Sequence, residues 1–274
     1  MRRLLAMSLM LVLAVGIAGC KKDGEKKIEP PKLASEPDKL AQQMVDAAKT
    51  GDLHTIYFVL PESYQKDVQG LMAKLGKIDA EVYNSAMALL PKAIAAAKKH
   101  KDKLAPMMGM ATAMVPGMTP DKIFEAIDKL YAILEKGGLT KHETFAKLDV
   151  AQFLGNHGKA IFELAKPGFE DKLPMLDKIT FEAKDVKEDG ATLIVKMDGK
   201  KMEEVALIKV EGKWFPKEGA DNWKKGIEEA NKELDKMIAE LEKNKEDIKK
   251  GIAQADEAIK KFDEDGDLGA IPGM

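Results

Sequence analysis

The sequence predicts an α+β protein: a mostly helical N-terminal region packed on a three- to four-stranded antiparallel meander, followed by a long C-terminal helix. Three observations predict it. Apolar residues recur at three- and four-residue spacing through most of residues 38–165. The period shortens to two between Ile179 and Val210, with Asp- and Gly-containing turns between the runs. From Gly219 to Phe262 the helical spacing returns on a background of Lys and Glu.

The elements follow in chain order. Glu36-Pro37-Asp38 opens the folded part, with Asp38 as expected N-cap and Leu40, Met44, Val45 and Ala48 on one face. Thr50-Gly51-Asp52 stops that helix, and Leu53, Ile56, Tyr57 and Leu60 mark the next. Pro61 interrupts, and Pro61-Glu62-Ser63 opens a third, since proline is tolerated in a first turn. Residues 79–104 read as a further helix that Pro91 should kink or split. Thr119-Pro120-Asp121 begins another, carrying Ile123, Phe124, Ile127, Leu130 and Leu134 and ending at Gly137-Gly138. Residues 141–165 read as a helix broken near Gly155-Asn156-His157-Gly158.

Strands are expected around Ile179–Ala183, Leu193–Met197 and Val205–Val210, with Trp214-Phe215 closing the meander. Glu188-Asp189-Gly190, Asp198-Gly199 and Glu211-Gly212 supply the turns. An apolar sheet face needs covering, and the preceding helices are the available cover. The 219–263 helix has two open readings: its first half folded onto the domain with the rest a charged extension, or a coiled-coil arm whose 219–262 stripe dimerises or meets another protein.

The 274 residues carry 44 Lys+Arg against 46 Asp+Glu, a formal charge of -2, so no basic excess points to nucleic acid. A single cysteine excludes an intramolecular disulfide framework and any Cys-based zinc cluster. The opening MRRLLAMSLMLVLAVGIAGC has the build of a secretory signal: Arg2-Arg3, an apolar Leu4 to Val15, and a small-residue exit. The apolar run is shorter than the roughly 20 residues that span a bilayer.

Ile17-Ala18-Gly19-Cys20 resembles the lipobox of bacterial lipoproteins. The resemblance implies cleavage between Gly19 and Cys20, a diacylglycerol thioether on the Cys20 thiol, and usually acylation of the new amine. Two or three acyl chains, at about 0.8 kcal/mol per buried methylene, anchor a protein stably where one does not. Removal of residues 1–19 leaves 42 basic against 46 acidic residues, a charge of -4. Lys21, rather than Asp, after the cysteine implies the outer membrane by the family's sorting rule. Residues 20–36, with Pro30-Pro31 and no apolar period, read as a flexible tether.

The segments AKTGDLHTIYFVLP (Ala48–Pro61) and VEGKWFP (Val210–Pro216) resemble the cone-shaped nuclear-transport-factor-two-like fold used by many envelope lipoproteins without catalysis. The resemblance spans residues 37–64 and 176–216 and departs over the long helical stretch between them.

Motifs of catalysis are not found. His54, His100, His142 and His157 lack zinc-site spacing and are expected on the surface, with no metal or cofactor. None of the four serines stands in a GxSxG elbow, and no phosphate-binding glycine loop occurs. Met107, Met110, Met114 and Met118 fall on one helical stripe. Soft thioethers can select Cu(I), and a flexible apolar lid or core is the favoured reading. The tail Asp263-Glu264-Asp265-Gly266-Asp267 imitates a calcium loop but has Leu268 at the sixth position and Met274 at the twelfth, so residues 264–274 are expected to fray. The sequence therefore predicts a lipid-anchored envelope protein that binds or scaffolds without catalysis. The alternative is a carrier whose apolar ligand lies between helices and sheet, against Met107, Met110, Met114, Phe124 and Trp214.

Overall fold

The structure is a computed structural model that describes residues 28–106 and 119–266. Gly19, Cys20, Met107, Met110, Met114 and the tail beyond Gly266 lie outside the described residues.

In helix α1 (Pro37–Thr50) Glu36 rather than Asp38 holds the N-cap position, without a side-chain cap bond; Asp38 sits in the first turn, where a carboxylate complements the helix dipole. Gly51, at φ 74°, ends it in the left-handed region. The Asp52 carboxylate then caps α2 (Leu53–Val59), accepting from the Thr55 amide at 2.9 Å and the Thr55 hydroxyl at 2.6 Å. Helices α3 (Glu62–Leu75) and α4 (Ala80–Lys99) follow, the latter capped by Asp79. Pro91 does not split α4. It stands on the exposed side, where solvent can take the backbone acceptor it leaves free.

Helix α5 (Pro120–Lys136) is capped by Thr119, and a short α6 (His142–Phe145) leads into α7 (Val150–Ala165). The break expected at residues 155–158 falls instead at 146–149, and α7 runs unbroken through both glycines. The cause is close packing. A Cβ at Gly158 would stand 3.0 Å from Leu53 Cβ, and one at Gly155 would stand 2.9 Å from an Ile28 methyl. Two 3-10 turns and α8 (Leu173–Leu176) lead to the sheet.

The sheet is a meander in the order β1 (Ile179–Lys184), β2 (Gly190–Met197), β3 (Lys200–Val210), β4 (Lys213–Pro216), antiparallel throughout. Met197 pairs with Lys200 and Val210 with Lys213, leaving two-residue loops. Asp198-Gly199 (φ 50° and 75°) and Glu211-Gly212 (φ 54° and 79°) place both central residues left-handed, the turn that matches strand twist. One sheet face, with Ala191, Leu193, Leu207 and Trp214, packs on Leu40 of α1 and Val59 of α2. On the other, Phe215 joins the main helical core, which gathers Leu53, Tyr57, Leu139, Phe145, Val150, Phe153 and Ile161.

The predicted 219–263 helix is two helices, α9 (Lys217–Lys243) and α10 (Lys245–Asp265), meeting at Asn244. They run parallel to α3 and α4. Trp223 stacks on Tyr64 (centroids 4.1 Å apart) and donates to Asp67 at 2.8 Å; Lys74 meets Asp235 at 2.8 Å. Along the second pair, Lys245 meets Asp79 (2.6 Å), Lys249 meets Glu81 (2.5 Å) and Lys92 meets Asp256 (2.5 Å). The Lys245 hydrogen bond, then the Val82 amide, hold the Asp79 carboxyl down to about 2. The bend at Asn244 thus lies beside the joint between α3 and α4. Helical structure also extends through Asp265, where the expected frayed end would begin. The Asp263 carbonyl takes the Lys99 ammonium and the His100 ring, and the Asp265 carbonyl takes Lys103.

Two predictions follow from this packing. Exposed ion pairs contribute about 0–1 kcal/mol, so the apolar seam of α10 dominates its docking. Phe262→Ala, at a residue 4% exposed, should cost about 3 kcal/mol in denaturant unfolding, against under about 1 kcal/mol for Lys92→Ala. Gly51→Ala should cost about 2–3 kcal/mol, because it adds an overlap with the Phe162 side chain to left-handed strain. Gly199→Ala, with the same φ and open space around it, should cost about 1 kcal/mol by the same measurement.

Candidate functional site

The segment expected as a tether lies along the body from Ile28 onward. Its cause is a pair of glutamine clamps. The Ile28 amide donates to the Gln152 side-chain oxygen (2.8 Å), and the Gln152 side-chain amide donates to the Ile28 carbonyl (2.8 Å). Gln43 does the same further on, accepting from the Ala34 amide (2.9 Å) and donating to the Lys32 carbonyl (3.0 Å). The Trp214 indole N–H donates to the Ser35 carbonyl at 2.9 Å, and Leu33 and Ala34 pack on the sheet-side core. A carboxamide carries one donor and one acceptor side by side, so it pairs with a passing backbone as a neighbouring strand would.

Between the two clamps the strap borders an open groove of about 570 Å3. Pro30, Pro31 and Leu33 line it from the strap, and Tyr57 and Phe58 from α2. Gln65, Lys66 and Gln69 of α3 and Lys213 of β4 complete the lining with Glu62. The Tyr57 hydroxyl donates to the Gln65 carbonyl at 3.1 Å, and burial pushes its pKa up to about 12, so the phenol stays neutral. The Lys213 ammonium donates to the Phe58 and Leu60 carbonyls, both at 2.7 Å, at the carboxyl end of α2. Its burial lowers its pKa, against the opposing pull of Glu62 and Glu211. Gln65, Gln69 and Lys213 are held by backbone partners, so aromatic and proline walls beside the exposed Lys66 and Glu62 are what the groove offers an amphiphilic ligand, and no nucleophile–base pair stands among these residues.

The sequence-predicted pocket is not assembled here. Trp214 is buried between the sheet and α1, its ring under the Lys209 ammonium at 4.7 Å. Phe124 is buried on α5, a helix that packs against α4 and α7. The methionines expected beside them lie outside the described residues. Sequence reasoning missed the groove altogether. Gln43, Gln65, Gln69 and Gln152 stand on amphipathic helices, where glutamine reads as a solvated face, and Pro30-Pro31 reads as linker.

The histidines correct an expectation. His54 is 7% exposed, and neither its Nε2 nor that of His142 has a hydrogen-bond partner among the described residues. The reason for His54 is that α2 lies between two cores and has little solvent-facing surface; its ring packs edge-on to Phe58 at 4.7 Å. Among the described residues no group of three His, Cys, Asp or Glu could hold a metal ion, and no helix is long and apolar enough to cross a membrane. Comparison with family models, curated proteins and solved structures finds no match to this chain.

Desolvation holds the His54 pKa below 6.5, with the Asp52 carboxylate opposing. A base depressed in the fold gives its full stability above its unfolded pKa. That stability is lost as pH falls from 6.5 toward the folded value, because the unfolded chain takes the proton first. His54→Leu should therefore show a smaller fall in melting temperature than the unsubstituted protein between about pH 7 and about pH 5.

Proposed function

We propose that this protein is a lipid-anchored component of a bacterial cell envelope, held to the membrane through acyl chains on Cys20 and acting by binding or scaffolding rather than catalysis. The observation that carries the reading is the order of the first twenty residues: two arginines, an apolar run too short to span, and Ile17-Ala18-Gly19 before the only cysteine. Lys21 after that cysteine favours the outer membrane, with the body in the periplasm or outside the cell. The strap from Ile28 to Ser35 is compatible with the reading, since it holds the start of the described chain on one side of the body.

The role as a carrier of an apolar ligand is the second reading, and the groove against Tyr57, Phe58, Pro30 and Pro31 favours it. Its lining moves from the methionine stripe to the strap. Native mass spectrometry of the detergent-extracted protein separates the two: a co-purifying amphiphile supports the carrier, a second protein subunit the scaffold.

Cys20→Ser is expected to abolish metabolic labelling by an alkyne fatty acid and to move the protein into the soluble fraction. Labelling that persists in this variant overturns the lipid anchor.

A further inference from the structure

The strap converts a long tether into a short one, and its exit point selects a side of the molecule. From Cys20 to the start of α1 at Pro37 the chain could reach about 60 Å when extended; from Cys20 to the clamped Ile28 it reaches at most about 29 Å. A body of the described length is about 45 Å across. The leash is thus shorter than the body, so the surface around its exit cannot turn to the far side. That exit lies on α7. Gln152 holds both backbone groups of Ile28, and Gly155, one turn on, lets the Ile28 side chain lie against the helix; a Cβ there would come within 2.9 Å of it. Lys159, exposed, continues the same stripe one further turn along. The intervening residues 21–27 hold Lys21, Lys22, Lys26 and Lys27 against Asp23 and Glu25, an excess of positive charge suited to anionic headgroups.

We propose that the α7 stripe of Gln152, Gly155 and Lys159 is the face this protein turns to the bilayer that holds Cys20. The occupant of that surface is the lipid headgroup layer, and the second docking element is the strap itself. The inference deepens the lipid-anchor reading and rests on it. The groove bordered by Pro30 and Pro31 lies between the clamps, no more than about 40 Å of extended chain from Cys20.

The test uses the chain from Cys20 onward, which keeps every described residue. Its single thiol is coupled to maleimide-bearing lipid in vesicles of phosphatidylcholine and phosphatidylethanolamine. A short amine-reactive crosslinker then joins nearby lysines to ethanolamine headgroups, and mass spectrometry compares Lys159 with Lys261. Lys261 is an exposed residue near the end of α10, the end that lies against Lys99, His100 and Lys103, at and just past the end of α4, rather than against α7. The expected result is at least about fivefold more headgroup adduct on Lys159 than on Lys261. The double substitution Gln43→Ala/Gln152→Ala should bring the ratio toward one, and so should Gly155→Ala, which crowds Ile28 while favouring helix. A ratio near one in the unsubstituted chain, or one that strap release leaves unchanged, overturns the proposal. Because the coupling is chemical, an uneven ratio stands even if Cys20 carries no lipid in cells, and an even ratio leaves lipidation intact.

Discussion

The close crossing of α2 and α7 is the constraint on which the rest of the molecule depends. Helix α2 has seven residues, and five of them, Leu53, His54, Thr55, Tyr57 and Val59, are buried. Leu53 and Tyr57 belong to the helical core and Val59 to the core under the sheet, so this helix of about two turns joins the two. The approach is possible because Gly158 presents no side chain to Leu53 and because Gly51, in the left-handed region, lets the chain turn beside Phe162. Such an element gains nearly all its stability from tertiary contact, since an isolated helix of this length is marginal in water. A histidine placed there is drawn into the interior with it.

Around that crossing, polar groups do the work of alignment and apolar groups the work of holding. Gln43, Gln69 and Gln152 each pair with both an N–H and a C=O of a passing backbone: Lys32 and Ala34, Leu148 and Val150, and Ile28. These are stretches of backbone outside the sheet ladder and before a helix's own bonds begin, and the carboxamides supply partners for their part-buried N–H and C=O groups. The C-terminal helices show the same division. Their ion pairs with α3 and α4 fix the parallel register, while Trp223, Ala258 and Phe262 supply the buried area. Because α9 and α10 lie on a support that is itself jointed, they bend at Asn244 rather than continuing as one rod.

Much of the fold was legible before any coordinates. The alternation from Ile179 to Val210 and the pairs Asp198-Gly199 and Glu211-Gly212 specified a meander, because turn chemistry and side-chain alternation are local properties. Helix starts at Glu62 and Pro120 were readable for the same reason, while the first helix begins at Pro37, two residues before the start an Asp38 cap would give. The reading failed where a residue's role depends on a distant neighbour. Gly155 and Gly158 look like helix breakers in isolation and act as clearance for Ile28 and Leu53. The candidate site was almost wholly illegible: a groove bordered by prolines from a supposed linker and glutamines from supposedly wet helix faces carries no spacing that a motif could capture.

By itself the sequence determined the α+β class and the two-residue turns of the sheet, since each is written in short runs of neighbouring side chains. Only the tertiary structure decided that residues 28–35 are bound, that α7 is continuous and that the last helix breaks at Asn244. Apart from the Gln43 clamp on Lys32 and Ala34, those outcomes arise from contacts between segments more than a hundred residues apart, and their energy exists only once both segments are in place.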